Sequence, residues 1–348
     1  MLDNLKKMKQ LKIYKLDRQN INLLGNKCIN RFLKEKMIFP PYKIDIEPTT
    51  RCNLNCIFCQ VPGWSRSHIK DLSLDDFKNI INKFPYLKLV KLQGMGEPFL
   101  NQELLAMIDF CNQQGIYSTI YNNGTALNEV IIKELFKSPP LFLIFSLDTP
   151  NRETYKIIRG KDMFKKVVEN IKLAIFNRNL NALNTKIKIW CVLNKYNFDE
   201  IDNLVRLAKD LGVDSIAIQT KLTFFGKTEL EKKNESITIN AFSKEITDNL
   251  DKTIELAKNI NQDIEIYKGD YFSENKPCTF IKYHTYVSVE GEIVPCCIIA
   301  DPKIISMGNI HNVNSINDIW NNKDYRNLRR DIYENRLPSF CKNCYVYQ

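Results

Sequence analysis

Eleven cysteines are spread unevenly along the 348 residues, and their spacing is the first chemistry this sequence offers. Cys52, Cys56 and Cys59 share one short loop, Cys52-Asn-Leu-Asn-Cys56-Ile-Phe-Cys59. Cys278, Cys296, Cys297, Cys341 and Cys344 form a second set near the C-terminal end, closed by a C-x2-C turn. Cys28, Cys111 and Cys191 stand alone. Thiolates this close together hold a metal centre. Three on one loop suit a [4Fe–4S] cluster whose fourth iron stays open to a further ligand. The competing reading is a structural zinc loop with His68, nine residues beyond Cys59, as fourth ligand. Taken alone, the C-terminal set suits a zinc ribbon as well as a cluster.

The remaining chemistry is sparse. With only His68, His284 and His311, histidine acid–base catalysis is a poor fit. A Lys, Asp, Glu or Arg would take any substrate proton, and Lys221, Asp270 and Tyr271 are candidates. The chain is 44% hydrophobic and 26% charged, which excludes wholesale disorder. No apolar run approaches the ~18 residues of a membrane helix. The N-terminal MLDNLKKMKQLKIYKL lacks a signal-peptide core, so a cytoplasmic location is expected. The formal charge of +10 comes from lysines dispersed among acids, which reads as a solvated surface and not as a nucleic-acid or membrane footprint.

These residues need a frame. Residues 1–41 read as a helical segment ended by Pro40-Pro41. From 42 to 220, six strands (42–47, 88–93, 116–121, 141–147, 186–193 and 215–219) alternate with five helices (74–84, 102–114, 128–137, 163–177 and 198–211). That alternation predicts an α/β fold, an open partial (β/α)6 barrel of parallel strands. Two further units, needed for a full barrel, are not supplied. Parallel barrels carry their chemistry at the C-terminal ends of the strands, and the first cysteine loop directly follows strand one. Residues 221–277 read as a polar linker or lid, then a helix at 241–260. Residues 278–348 read as a small α+β domain with a hairpin at 285–295 and a last helix at 315–333.

The C-x3-C-x2-C loop resembles the signature of the radical S-adenosylmethionine (SAM) superfamily. Phe58 matches that family's hydrophobic position, which implies a seat for adenine. Gln93-Gly94-Met95-Gly96-Glu97-Pro98 resembles its GGEP stretch, which holds the methionyl amine of SAM; Met95 departs from the common form, while Gly96, Glu97 and Pro98 agree. Asn122-Asn123-Gly124-Thr125 resembles its TNG turn, and Ser146-Leu147-Asp148 its S-x-D stretch, with Arg159 downstream. The resemblance implies Ser146 at the ribose and Arg159 at the SAM carboxylate. Behind such a core, the C-terminal cysteines resemble the auxiliary-cluster domain called SPASM, in its short "twitch" form. Gly291-Glu-Ile-Val-Pro295-Cys296-Cys297 and Met307-Gly-Asn-Ile310 agree with it. That implies a second [4Fe–4S] cluster on Cys278, Cys296, Cys341 and Cys344, with Cys297 spare; ligation by Cys297 with Cys296 free stays open.

The resemblance implies SAM and two [4Fe–4S] clusters as cofactors, and an external one-electron reductant of flavodoxin or ferredoxin type. Reductive cleavage of SAM would give a 5′-deoxyadenosyl radical that takes hydrogen from the substrate. A closed auxiliary site suits electron acceptance. The favoured expectation is therefore a dehydrogenase-type oxidoreductase of a small polar metabolite, such as a sugar or aminocyclitol alcohol. The first rival is a peptide maturase, though the residues before strand one are too few for a leader-binding domain of about a hundred. A radical epimerase would use Cys191 as hydrogen donor, against a plain core role in phase with Ile187, Ile189 and Leu193. A zinc-bearing scaffold without catalysis is the last.

Overall fold

The computed structural model describes residues 35–37, 39–63, 69–267, 278, 280–341 and 344. The expected N-terminal helix, Cys28, His68, Asp270 and Tyr271 lie outside the described residues, apart from the end of that helix. Nine strands form one sheet in the order β7-β6-β5-β4-β3-β2-β1-β8-β9. They are β1 (Lys43–Ile46), β2 (Leu89–Leu92), β3 (Tyr117–Asn122), β4 (Phe142–Ser146), β5 (Lys186–Val192), β6 (Ser215–Gln219), β7 (Ile264–Tyr267), β8 (His284–Val287) and β9 (Ile293–Val294). Every pair is parallel except β8–β9. The sheet ends on β7 and β9 without closing, an open α/β barrel as expected.

Period-two alternation decides what faces what. Ile44, Ile46, Val90, Leu92, Leu143, Phe145, Ile187, Ile189, Ile216 and Ile218 are fully buried in the core shared with the helices. Each such side chain contributes roughly 1.5–3 kcal/mol by leaving water. The opposite parity, starting with Lys43, Asp45, Lys91, Tyr121, Lys188 and Trp190, looks into the lumen. The helix layer holds α1 (Leu74–Asn82), α2 (Leu104–Gln113), α3 (Glu129–Leu135), α4 (Arg152–Arg159), α5 (Phe164–Leu180) and α6 (Ile201–Leu211). Ser73 caps α1 and Asn128 caps α3 through their side-chain oxygens.

Four elements differ from the expectation. Helix α4 stands where no element was foreseen; Asn151 caps its start, and Gly160, at φ 71°, ends it. A seventh parallel strand, β7, lies within the segment read as linker and helix. The polar stretch read as irregular contains α7 (Thr228–Asn234), before α8 (Lys244–Asn259). The last helix is two, α10 (Ile316–Trp320) and α11 (Lys323–Tyr333), because Asn322 caps a new start; α9 (Phe280–Tyr283) is one short turn. The C-terminal hairpin also does not stand apart. Its first strand pairs with β1, with Asp45 opposite Tyr286. Among the described residues no helix is long and apolar enough to cross a membrane.

Candidate active site and auxiliary thiol site

The first cysteine loop leaves the C-terminal end of β1 and lies on the end of α4. Asn55 N donates to Arg159 O at 3.2 Å, and Ile57 N to Ile158 O at 3.0 Å. A side chain at Gly160 would press to 2.4 Å from Asn55 O, so glycine permits this contact. Around the thiols, Arg159 Nη1 lies 3.8 Å from Cys56 Sγ, Asn123 Nδ2 lies 3.9 Å from Cys52 Sγ, and Val61 N donates to Cys59 Sγ at 3.5 Å. Burial pushes all three thiols up, Cys59 to about 12 with Cys56 and Cys52 adding to it. Holding these groups as thiolates takes a strong cation, and metal binding would release their protons.

The glycine stretch after β2 packs onto this loop. Glu97 N donates to Arg51 O at 2.7 Å. A Cβ on Gly96 would meet Thr49 O at 2.3 Å and Arg51 O at 2.5 Å. A Cβ on Gly94 would meet Glu47 Cγ at 2.4 Å. Glu47 fills that place because it bridges two regions: it accepts from Met95 N at 3.0 Å and from Val289 N, in the C-terminal hairpin, at 3.3 Å. Met95, where the family pattern is broken, packs against Tyr286, Val294, Ile299 and Ala300 of that same hairpin region. Glu97 is buried and accepts from Asn123 N at 2.6 Å and Phe99 N at 3.1 Å. Burial raises its carboxyl to about 7. Glu97 thus fixes the turn after β3, whose Asn123 donates to Asn53 Oδ1 at 3.0 Å, back on the cysteine loop.

Arg159 and Asp148 form a buried ion pair at 2.5 Å, not a surface one. Burial pulls the guanidinium down, but Asp148 and Cys56 hold it firmly charged. Asp148 also accepts from Val192 N at 2.9 Å. Arg159 Nε is buried and has no hydrogen-bond partner. A cavity of about 280 Å3 gathers Cys52, Cys56, Cys59, Phe58, Gly94, Gly96, Glu97, Asn123, Ser146 and Arg159 on its wall. Asp148 stands behind Arg159. Cys191 is elsewhere: it is fully buried on the helix face of β5, 3.4 Å from Asp148 O, and Asn197 Nδ2 donates to it. Lys221 lies beside Cys344 and Glu231, away from this cavity. The sequence reading missed Tyr121, Trp190, Phe225 and Tyr286, which share the wall. Strand parity signals Tyr121 and Trp190; nothing local signals the other two.

The second cysteine set divides. Burial drives Cys296 far up, and Cys297, Cys344, Cys278 and Cys341 add to it. Cys341 is raised by burial, then by Cys278 and Cys344. These thiols are neighbours, although among the described residues no three of them are close enough together to hold a metal ion as they stand. Cys297 instead turns into the lumen, where burial, then Asp45, raises it, and it lines the same cavity as Cys52. Of the two adjacent thiols, Cys297 lines the first cavity and Cys296 does not.

Residues 46–177 match the radical SAM superfamily, and residues 278–345 match its frequent companion, an iron–sulfur cluster-binding domain. This chain is a radical SAM enzyme with an auxiliary iron–sulfur domain. It is similar to the tungsten-containing aldehyde ferredoxin oxidoreductase cofactor-modifying protein of Pyrococcus furiosus, with 26% identity across 86% of each chain. It is 24% identical to the PqqA peptide cyclase of Rhizobium meliloti, over 88% of this chain and 80% of that protein. Another relative, 33% identical, is spanned over 63% of its own length. The fold matches Streptococcus suis SuiB bound to precursor peptide SuiA, with a TM-score of 0.69, 16% identity, and coverage of 100% of this chain and 82% of that one.

The cofactors of this radical SAM enzyme are SAM and [4Fe–4S] clusters. The residues of the cavity fit them. Three thiols of one loop open onto a cavity large enough for a ligand, whose wall carries a charged guanidinium with an unused buried donor. Such a donor is costly to leave unpaired, and a carboxylate would satisfy it. The zinc-scaffold reading falls away.

Proposed function

We propose that this radical SAM enzyme modifies a peptide. The observation that carries the reading is the match to a PqqA peptide cyclase along 88% of this chain, through both the barrel and the auxiliary domain. The precursor peptide held by a neighbour of the same fold supports it. The sequence reading favoured a small polar alcohol because a closed auxiliary site can accept an electron; that site serves peptide oxidation or crosslinking equally.

Cys52, Cys56 and Cys59 would hold the cluster that binds SAM, and the bound pair supplies the radical chemistry. The other roles belong to this chain. Arg159, kept charged by Asp148, orients the SAM carboxylate. Gly94 and Gly96 bring backbone carbonyls near the amine, and Glu97 holds the Asn123 turn in place. Phe58 and Ser146 flank the nucleoside. Trp190, Tyr121 and Phe225 wall off water beside the reacting carbon. Cys278, Cys296, Cys341 and Cys344 would hold the auxiliary cluster, with an external one-electron reductant feeding the system. Cys191, on the helix face, gives an epimerase no donor.

The test is anaerobic turnover of the reconstituted enzyme with SAM, a reductant and any short peptide found encoded beside its gene. Mass spectrometry should find a peptide lighter by a pair of hydrogens. Oxidation of a cyclitol alcohol with every peptide left unchanged would sink the proposal.

A further inference from the structure

The lumen is not filled as parallel barrels usually are, with layers of branched apolar side chains. Here β1 and β2 turn Lys43, Asp45 and Lys91 inward, and Asp45 and Lys91 are partners in the ladder. Charges taken from water are costly unless partnered. Asp45 is fully buried and well supplied: His284 Nε2 lies 2.8 Å from Oδ1, and Gln93 Nε2 donates to Oδ2 at 3.1 Å. A third inward lysine, Lys188, is paired with Glu265 at 2.6 Å. Lys43 and Lys91 have no such counterpart. Among the described residues neither lysine makes a direct ion pair, and His284, which burial lowers to about 4, is neutral beside Asp45, so the two lysines share that single carboxylate. Lys91 Nζ lies 5.2 Å from the centre of the Tyr121 ring, a cation–π contact. The two lysines are diagonal neighbours on the lumen face, since Lys43 stands two residues before Asp45, the ladder partner of Lys91. Burial first, and then Lys91, lowers Lys43 to about 8.

Two buried lysines that share one carboxylate leave one positive charge without a counterpart, which is a site short of one anion. Gln93 and Tyr121, which touch this group, also line the SAM cavity. We propose that Lys43 and Lys91 form an anion seat in the lumen that holds an acidic oxygen group of the substrate, a carboxylate or a phosphate. The inference rests on the reading that the substrate is a peptide bound in this lumen, and deepens it: the peptide would present an acidic side chain or a chain terminus next to the reacting residue. An anion there relieves the repulsion between the lysines and restores the full charge of Lys43. It also fixes the substrate's depth, since the seat lies on strands and not on loops.

The experiment is calorimetric binding to the full chain, reconstituted anaerobically and saturated with SAM so that Arg159 is occupied. The probes are glutarate, glycerol 3-phosphate and the uncharged glutaramide. Saturable binding of at least one anion is expected, with none of glutaramide. Which anion binds identifies the carboxylate or the phosphate class. K91M should weaken the bound anion about tenfold or more, since truncating one member of a desolvated charge pair is costly, and K91R should keep most of the binding. If K91M does not fold, K43M carries the same test. Absence of binding by both anions, equal binding of glutaramide, or wild-type affinity in the folded lysine variants overturns the seat. Those results leave the peptide reading intact; that reading fails separately, if no peptide is modified while the anions still bind.

Discussion

The two thiol sites of this enzyme are built in opposite ways. Cys52, Cys56 and Cys59 come from one loop, and their open side faces polar groups: the Arg159 guanidinium, the Asn123 amide and the cavity. Cys278, Cys296, Cys341 and Cys344 come from distant parts of the chain, and Cys296 packs against an apolar cluster of Tyr286, Val294, Ile299 and Ala300. The first arrangement leaves room for a ligand and supplies donors to hold it. The second is drawn from separate elements and rests against apolar side chains. A site that must bind and cleave something needs the former; a site that stores or passes an electron is better dry and fully ligated.

The comparison breaks most sharply at the thiols. Replacing Cys52, Cys56 and Cys59 together by Ala should abolish SAM cleavage and cut the iron content from about eight to about four per chain. Within the second set, C296S should lose the auxiliary cluster's iron, while C297S, whose thiol faces Asp45, should keep it. Equal iron loss in both would show that the two adjacent thiols are wrongly divided between cluster and lumen. Iron and sulfide analysis of anaerobically reconstituted, folded variants reads both.

The glycines come next. A methyl on Gly96 meets only backbone, Thr49 O and Arg51 O, which cannot yield without moving the cysteine loop. A methyl on Gly94 meets the Glu47 side chain, which can turn aside. G96A should therefore weaken SAM binding by about a hundredfold, and G94A by about tenfold, in line with the several kcal/mol and the smaller cost of such clashes. Equilibrium binding of SAM orders them; a reversed order would mean that the loop does not rest on the cysteine loop.

The last effect touches stability and not SAM binding: a pH dependence at Glu47, which joins the two halves. Burial raises its carboxyl from 4.5 to about 7, against the pull of the Met95 and Val289 amides and with a push from Asp301. Between these values the folded chain keeps a proton that the unfolded chain gives up. Stability therefore falls as pH rises through this window and levels off above about 7, by on the order of 3 kcal/mol. Melting curves of wild type and E47Q across the window should show this slope in the former and its loss in the latter.

Much of this architecture is legible in the chain itself. Six strands alternating with five helices, the strands with clear apolar parity, fix the barrel, and the cysteine loop announces its own chemistry. Helix α4 was not legible because it is eight residues long and half of them are charged, so it reads as loop until Asn151 and Gly160 are seen to cap it. Strand β7 is four residues of half-buried Ile-Glu-Ile-Tyr, too short for a period to register against the polar text around it. Cys296 and Cys297 are adjacent, and only their place after β9 decides which faces the lumen. The lysine pair was hidden for a different reason. Each lysine sits in an ordinary alternating strand, where an inward and an outward face look alike until the sheet curls.

The pairing of β8 with β1 sets the order in which the chain can be completed. His284 reaches Asp45 across 239 residues of sequence, while the other flank of β1 is served by β2 nearby. During synthesis the barrel strands can assemble in turn, but one edge of β1 stays unpaired until almost the whole chain has emerged. Long-range pairings of this kind form slowly and leave an adhesive edge in the meantime. The same late step brings Val289 to Glu47 and Met95 against Val294, so the SAM loop acquires its final support last. A chain whose C-terminal hairpin has not yet docked therefore lacks both the Val289 contact to Glu47 and the packing on Met95, and the glycine turn after β2 stands unbraced until they form.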